Sequence, residues 1–293
     1  MIVLSLVCAI ILSILASALK EPQEIAKDLD RSKQMLIAAR ILSPYGYFQV
    51  EEAKGNFVPA KFAAGGVLEP SSDKSTPSQE QILEIYRDRI QPDLVNESGE
   101  MISFKSAGID EKKYLQEYRK TGYYKEPYKL IYKIYSNRKP GEKENSQERA
   151  PVGYVVPVNG MGLWDAIYGY LAIQPDGNSV IGISWYDQKE TPGLGANIAE
   201  PDWQSQFPGK HLFQESADGQ TNFKSAPLGI TVVKGRVAEV LGTSPKALSA
   251  VDGMAGATLT GNGVTNAFRD VLAAYRPFLM KLHNANKKSE SSL

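Results

Sequence analysis

Two threonines in a run of small residues are the clearest candidates for chemistry in this sequence. Residues 252–263 read DGMAGATLTGNG, and their hydroxyls belong to Thr258 and Thr260. Small residues let backbone N–H groups approach an anion closely, and the N-terminus of a following helix favours negative charge. The pattern would suit a phosphate site in which a threonine bonds the phosphate or becomes esterified by it, although Gly- and Ala-rich loops before helices are common without one. The alternative is a plain turn with Asn262 as the helix N-cap.

Two further glycine-containing segments could build the walls of such a site. Residues 190–195 (ETPGLG) have the proline and glycine spacing of a structured loop, in which the glycines supply positive φ or close backbone approach. Residues 160–164 (GMGLW) place Trp164 beside a glycine-rich turn. Its ring would either flank a planar ligand or pack in the core, and the core is the commoner place for a tryptophan at a strand end.

The composition excludes several other kinds of site. Net charge is zero and the Lys and Arg residues are scattered, so the chain lacks the concentrated positive charge of a nucleic-acid surface. One cysteine, Cys8, cannot build a thiolate metal site, and the two histidines, His211 and His283, have no supporting pattern nearby. Redox chemistry would therefore need an organic cofactor.

Hydrophobic periodicity predicts the elements that position these segments. The patterns indicate an α+β domain with a mostly antiparallel sheet and flanking helices. Helices are expected at 22–42, 79–90 and 263–284, and strands at 130–135, 153–158, 168–173, 179–186 and 230–234. The turn at 175–178 makes the third and fourth of these strands a hairpin.

The first residues form an apolar run without a charge. As a helix, residues 2–19 would reach roughly 27 Å, close to the hydrocarbon thickness of a bilayer. The run predicts a membrane anchor, with a cleaved signal peptide as the alternative because residues 16–18 (ASA) fit a cleavage site. Lys20, Lys27, Arg31 and Lys33 all follow the run, so charge alone would leave the domain in the cytoplasm.

Several segments, taken in order, resemble one known family. They are GMGLWDAIYG at 160–169, ETPGLG at 190–195, Gly209-Lys210, and DGMAGATLTGNGVTNAF at 252–268, together with LKEPQEIAKDLDRSKQMLIAARIL at 19–42. This set is similar to the stalk and FMN-binding domain of the C subunits of the sodium-translocating NADH:quinone oxidoreductases. The resemblance is weak over residues 52–150.

The resemblance implies a covalent flavin. In that family a flavin transferase joins the FMN phosphate to the threonine that here is Thr258, and it reads an acidic residue that here is Asp252. This chain has Ala255 where Ser or Thr is usual, which removes one hydroxyl near the phosphate. Other cofactor-binding candidates come from family likeness and residue type: Gly162, Leu163, Trp164, Glu190, Thr191, Gly193, Leu194, Gly195, Gly256, Ala257, Leu259 and Thr260.

The resemblance also implies a role and partners. It implies an electron relay between an iron–sulfur centre and a second flavin, within a bacterial inner-membrane complex that oxidises NADH, reduces quinone and expels sodium. The flavin domain is expected on the periplasmic side, with the lipid bilayer, the other subunits and the flavin transferase as partners, and no nucleic acid. The sequence has no G-x-G-x-x-G motif between a predicted strand and a predicted helix, so no NADH site is expected in this subunit.

Two alternatives and a domain plan complete the predictions. One alternative is the G subunit of a ferredoxin:NAD oxidoreductase complex, and the other is a non-redox, membrane-tethered binding protein. The expected organisation is an anchor at 1–20, a stalk helix at 21–50, a variable part at 51–150, the FMN-binding domain at 151–285 and a disordered tail at 286–293.

Overall fold

The structure, a computed structural model, describes residues 2–53, 55–138, 149–216 and 218–290. Its helices are α1 (Ile2–Ala38), α2 (Gln79–Arg89), α3 (Phe104–Ala107), α4 (Glu111–Glu117), α5 (Pro201–Gln204), α6 (Val237–Val240) and α7 (Thr258–Glu290). Its strands are β1 (Gln49–Ala53), β2 (Asn56–Ala63), β3 (Val67–Pro70), β4 (Ile90–Val95), β5 (Met101–Ile102), β6 (Lys129–Tyr135), β7 (Pro151–Met161), β8 (Ala166–Ile173), β9 (Val180–Asp187), β10 (Thr231–Val232) and β11 (Ala250–Val251).

A six-stranded antiparallel sheet, in the order β5-β4-β6-β7-β8-β9, forms the centre of the fold. The turn between β8 and β9 is closed by Asp176, whose carboxylate accepts the N–H groups of Asn178 and Ser179, each at 2.8 Å. Gly177 in this turn has a φ of +69°, which favours glycine. The predicted hairpin and the predicted α+β class with an antiparallel sheet are confirmed.

The two faces of this sheet bury two separate sets of apolar side chains, because successive side chains of a strand alternate between faces. In β7, Val156 and Val158 belong to the set that packs beneath α7, whereas Val155 belongs to the set that packs against α2 and the end of α1. Tyr275 of α7 also donates a hydrogen bond to the carbonyl of Leu130, at 2.6 Å. The sheet therefore lies between α7 and the C-terminal part of α1.

Helix α1 runs without a break through Pro22, where the sequence predicted the start of a separate helix. It ends at Ala38, earlier than the expected stalk boundary, because Arg40 takes a left-handed φ of +55° and the N–H of Ile41 turns back to the carbonyl of Leu36 at 2.8 Å. Among the residues that the structure describes, no helix has both the length and the apolar character needed to cross a bilayer.

Helix α7 is longer at both ends than the sequence predicted. It begins at Thr258 instead of residue 263, and the first helical bond runs from the N–H of Gly261 to the carbonyl of Ala257, at 3.0 Å. Asn262 is therefore inside the helix and is not its N-cap. Residues 286–290, expected to be disordered, are helical, with Lys287 and Lys288 in the last turn, where positive charge is favourable.

The segment between the stalk and residue 150 contributes to the same sheet as the rest. Strand β6 pairs with β7, with Tyr132 opposite Val155. Residues 104–128, which show no clear period, contain α3 and α4, and β1–β3 form a small separate antiparallel sheet. The polar stretch at 137–149 lies largely outside the described residues.

Candidate functional site

The three glycine-containing segments meet at one end of the central sheet. Residues 160–164 leave the end of β7, residues 190–195 follow β9, and residues 252–257 lead from β11 into α7. Gly263 of α7 lies so close to the carbonyl of Met161 that a Cβ would collide with it, and a Cβ on Gly256 would lie 2.9 Å from Leu194. The segments that the sequence singled out therefore form one site.

Thr258 and Thr260 have opposite environments within this site. Thr258 is the first residue of α7 and is exposed. Thr260 is only 1% exposed, and its hydroxyl donates a hydrogen bond to the carboxylate of Glu190. The first N–H groups of a helix have no partner within it, so Thr258 presents its hydroxyl where backbone donors and the helix dipole favour an anion.

Glu190 is a buried carboxylate that touches all three segments. It accepts hydrogen bonds from the backbone N–H groups of Leu163 and Trp164, each at 3.0 Å, as well as from Thr260. Burial alone raises the pKa of Glu190, but these hydrogen bonds outweigh it and the pKa lies below its usual value. Glu190 is therefore a buried charged group at the junction of the three segments.

The turn at 190–195 uses its two glycines in the two ways expected. The N–H of Leu194 donates to the carbonyl of Thr191 at 3.0 Å, and Gly193 has a φ of +74°. Gly195 instead provides close approach, because a Cβ there would collide with Thr260 and Glu190. This turn therefore presents Leu194 at the surface while it leaves room for the Glu190 contacts.

Trp164 lies at the surface and not in the core, which corrects the commoner interpretation of its position. Its side chain is 68% exposed, and its indole N–H donates to the hydroxyl of Thr191 at 3.1 Å. It belongs to an exposed apolar group at this end of the sheet, made of Met161, Leu163, Trp164, Leu194 and Leu259. Exposed apolar side chains gathered around one point mark a binding surface.

Asp252 has a structural role in the approach to α7. Its carboxylate accepts the N–H of Val237 at 2.7 Å, its carbonyl accepts the indole N–H of Trp203 at 2.9 Å, and its N–H donates to Gln206 at 2.8 Å. These bonds fix the path of the chain from β11 towards Thr258. Gly256 has a φ of +73°, while Ala255 is exposed and Ala257 is buried.

Two residues that contribute to the site were not predicted from the sequence. Met161 was not among the cofactor-binding candidates, although it stands inside the GMGLW segment and is exposed beside the other apolar side chains. Gln206, which holds Asp252, carries no local signal because it reaches the site only through the tertiary fold.

Comparisons with known proteins cover this site and the whole chain. Residues 162–273 match the model of the FMN-binding domain, a range that includes most of the site. The C subunit of the Na(+)-translocating NADH-quinone reductase of Chlamydia muridarum is 41% identical over 99% of this chain and 92% of its own length. That of Chlamydia caviae is 39% identical over 98% and 92%, and that of Vibrio campbellii is 31% identical over 96% and 92%.

Solved structures show a similar fold. The crystal structure of the same reductase's C subunit from Parabacteroides distasonis aligns with a TM-score of 0.53 at 24% identity, over 89% of this chain and 96% of that one. That of Shewanella oneidensis NqrC aligns with the same score over 88% and 98%. The near full-length relatives decide between this family and the G-type alternative: the chain belongs to the C subunits of the Na(+)-translocating NADH-quinone reductases, an oxidoreductase family.

Proposed function

We propose that this protein is the electron-relay subunit of a sodium-pumping NADH:quinone reductase and that it carries FMN esterified through its phosphate to the Thr258 hydroxyl. One observation carries the proposal. Of the two hydroxyls in the motif, Thr258 is exposed at the start of α7, while Thr260 is buried and bonded to Glu190. A modifying enzyme can reach only the first.

The surroundings of Thr258 fit a phosphate. It begins a 33-residue helix, whose N–H groups and dipole stabilise an anion at that end. The preceding Gly256 and Ala257 add little bulk beside it. Among the described residues, no carboxylate or imidazole forms a hydrogen bond with the Thr258 hydroxyl, so none of them is placed to activate it as a base. A separate flavin transferase is therefore the proposed source of the ester.

The exposed apolar group fits the ring of the cofactor. FMN, when bound, supplies one-electron and two-electron transfer, which the side chains of this protein do not provide. Trp164, Leu163 and Leu194 offer flat or apolar contact surfaces, and the hydrogen bond from Trp164 to Thr191 fixes the indole. These residues would hold and orient the ring, while the helix end would hold the phosphate.

The first half of α1 is proposed to attach the protein to the inner membrane, with the flavin domain on the periplasmic side. Large apolar side chains there stand open to the surroundings, with Leu6, Ile10, Leu12 and Ile14 between 51% and 66% exposed. Covering such side chains with lipid is favourable. The other reductase subunits are the proposed partners in electron transfer.

The proposal predicts a covalent adduct that mass spectrometry can detect. The full-length protein, produced together with an active flavin transferase and extracted from membranes, should gain the mass of one FMN less one water. The peptide that spans residues 252–269 should carry it. Protein made without the transferase serves as the control. An unmodified mass in both samples would favour the non-redox, membrane-tethered alternative.

Trp164→Ala is predicted to change the environment of the flavin without preventing its attachment. The indole would no longer cover the ring, so the absorbance maxima of the flavin should shift and its fluorescence should change. Tyr45→Ala is the matched control, because Tyr45 is also an exposed aromatic residue, at 69%, in the turn after α1. Spectra that are the same in both variants and the wild type would remove Trp164 from the site.

A further inference from the structure

Glu190 connects the parts of the site that come from different regions of the chain. Its carboxylate accepts two backbone N–H groups from the loop after β7, at Leu163 and Trp164, and one hydroxyl from α7, at Thr260. Glu190 itself begins the turn that presents Leu194. The Glu190 side chain therefore links the loop at 163–164 and the turn at 190–195 to α7, whose first residue is Thr258.

The backbone around Glu190 is shaped to admit this carboxylate. A Cβ on Gly162 would collide with one of its oxygens, and a Cβ on Gly195 would lie 2.8 Å from the other. The N–H of Glu190 is in turn bonded to the side-chain oxygen of Gln188, at 2.5 Å. Two glycines and a backbone hydrogen bond thus fix the position of the charged group.

The charge of Glu190 has no direct counter-ion within the described part of the chain. The neighbouring Lys189 forms its ion pair with Asp165, at 2.5 Å, on the exposed side of the loop. Glu190 is 5% exposed and is stabilised by neutral donors and by its position near the start of α7. A buried carboxylate held by hydrogen bonds keeps its negative charge at neutral pH.

We propose that Glu190 is a positioning residue: its carboxylate holds the 163–164 loop against α7 and places a fixed negative charge behind the flavin site. The second half of this inference rests on the proposed function. Electron uptake adds negative charge to a flavin, and a nearby negative charge opposes it. Glu190 therefore lowers the reduction potential of the bound flavin. Because the Thr260 hydroxyl is hydrogen-bonded to Glu190, Thr258 is left as the accessible acceptor of the flavin phosphate.

The positioning role is tested on full-length protein made without the transferase. Glu190→Gln keeps the shape but cannot accept all three hydrogen bonds, so hydrogen exchange at the Leu163 and Trp164 amides should accelerate by roughly 10-fold or more. Asp165→Asn is the matched control, because it removes a nearby acid that is exposed and paired with Lys189. Exchange that is unchanged by Glu190→Gln would overturn the positioning role, whatever happens to the flavin.

The electrostatic role is tested on flavin-loaded protein by redox titration. Glu190→Gln should raise the midpoint potential, whereas Asp165→Asn should leave it close to wild type. Thr260→Val removes one donor and keeps the charge, so it should accelerate amide exchange without the same rise in potential. This variant also tests the positioning role if Glu190→Gln does not fold. Equal potentials in loaded wild type and Glu190→Gln would overturn the electrostatic role, while absence of flavin from the wild type would instead contradict the proposed function.

Discussion

Thr258→Ala should abolish covalent flavin completely while the domain remains folded. The substitution removes the only exposed hydroxyl of the motif, and Thr260 cannot replace it because its hydroxyl is buried against Glu190. The first position of α7 is exposed, so the free energy of unfolding should change by no more than about 0.5 kcal/mol. Flavin fluorescence on a denaturing gel, after production with the transferase, measures the attachment.

Thr258→Ser is the matched control for this prediction. It keeps a hydroxyl at the same helix position, so at least partial labelling is expected. Circular dichroism of the three proteins should be the same, which separates loss of the acceptor from loss of the fold. A fluorescent band from Thr258→Ala would show that another residue carries the flavin.

Phe268→Ala should have the largest effect on stability among single substitutions near the site. Phe268 is fully buried on the inner face of α7, with ring centroids 5.6 Å from Trp185 and 5.8 Å from Phe207. Removing a buried aromatic ring leaves a cavity and costs about 3–5 kcal/mol. Because this contact fixes α7 to the sheet, the position of Thr258 depends on it. Denaturant unfolding of the detergent-solubilised full chain, followed by circular dichroism, measures the loss.

Asp270→Ala, two residues further along α7, is the control for the loss of stability. Asp270 is exposed and pairs with Arg269 at the surface, at 2.8 Å. Such exposed pairs contribute little, so the midpoint of the unfolding transition should stay close to that of the wild type. Similar losses in the two variants would mean that Phe268 does not secure α7.

The sheet was predictable from the sequence because its signals are local. The hairpin at 168–186 combines apolar strands with a turn whose Asp176 and Gly177 have defined local roles. The start of α7 was not predictable in the same way. Gly261 and Gly263 suggest a loop, yet both lie inside the helix, where they allow close approach to Val232 and to the carbonyl of Met161. Only the tertiary structure shows whether a glycine lies in a turn or allows another segment to approach a helix closely.

The candidate site was likewise predictable from the sequence only in part. The order of the three segments was enough to predict that they belong together, whereas Thr258 as the flavin acceptor follows from the family resemblance and stays a prediction. The directions of Trp164 and Glu190 were not predictable, because each is set by a partner far along the chain: Thr191 for the indole and Thr260 for the carboxylate. An exposed tryptophan and a buried glutamate both reverse the usual preferences of their residue types.

The pairing of β6 with β7 limits how the protein can be divided. The match to the FMN-binding domain covers residues 162–273, but the sheet that supports them also requires β4 and β6, from residues before 136. The matched stretch leaves out β7, which ends at Met161, so excising it would leave β8 with an unpaired edge and would divide both sets of buried apolar side chains. The matched stretch is therefore not a self-sufficient folding unit, because its sheet depends on strands that precede it in the chain.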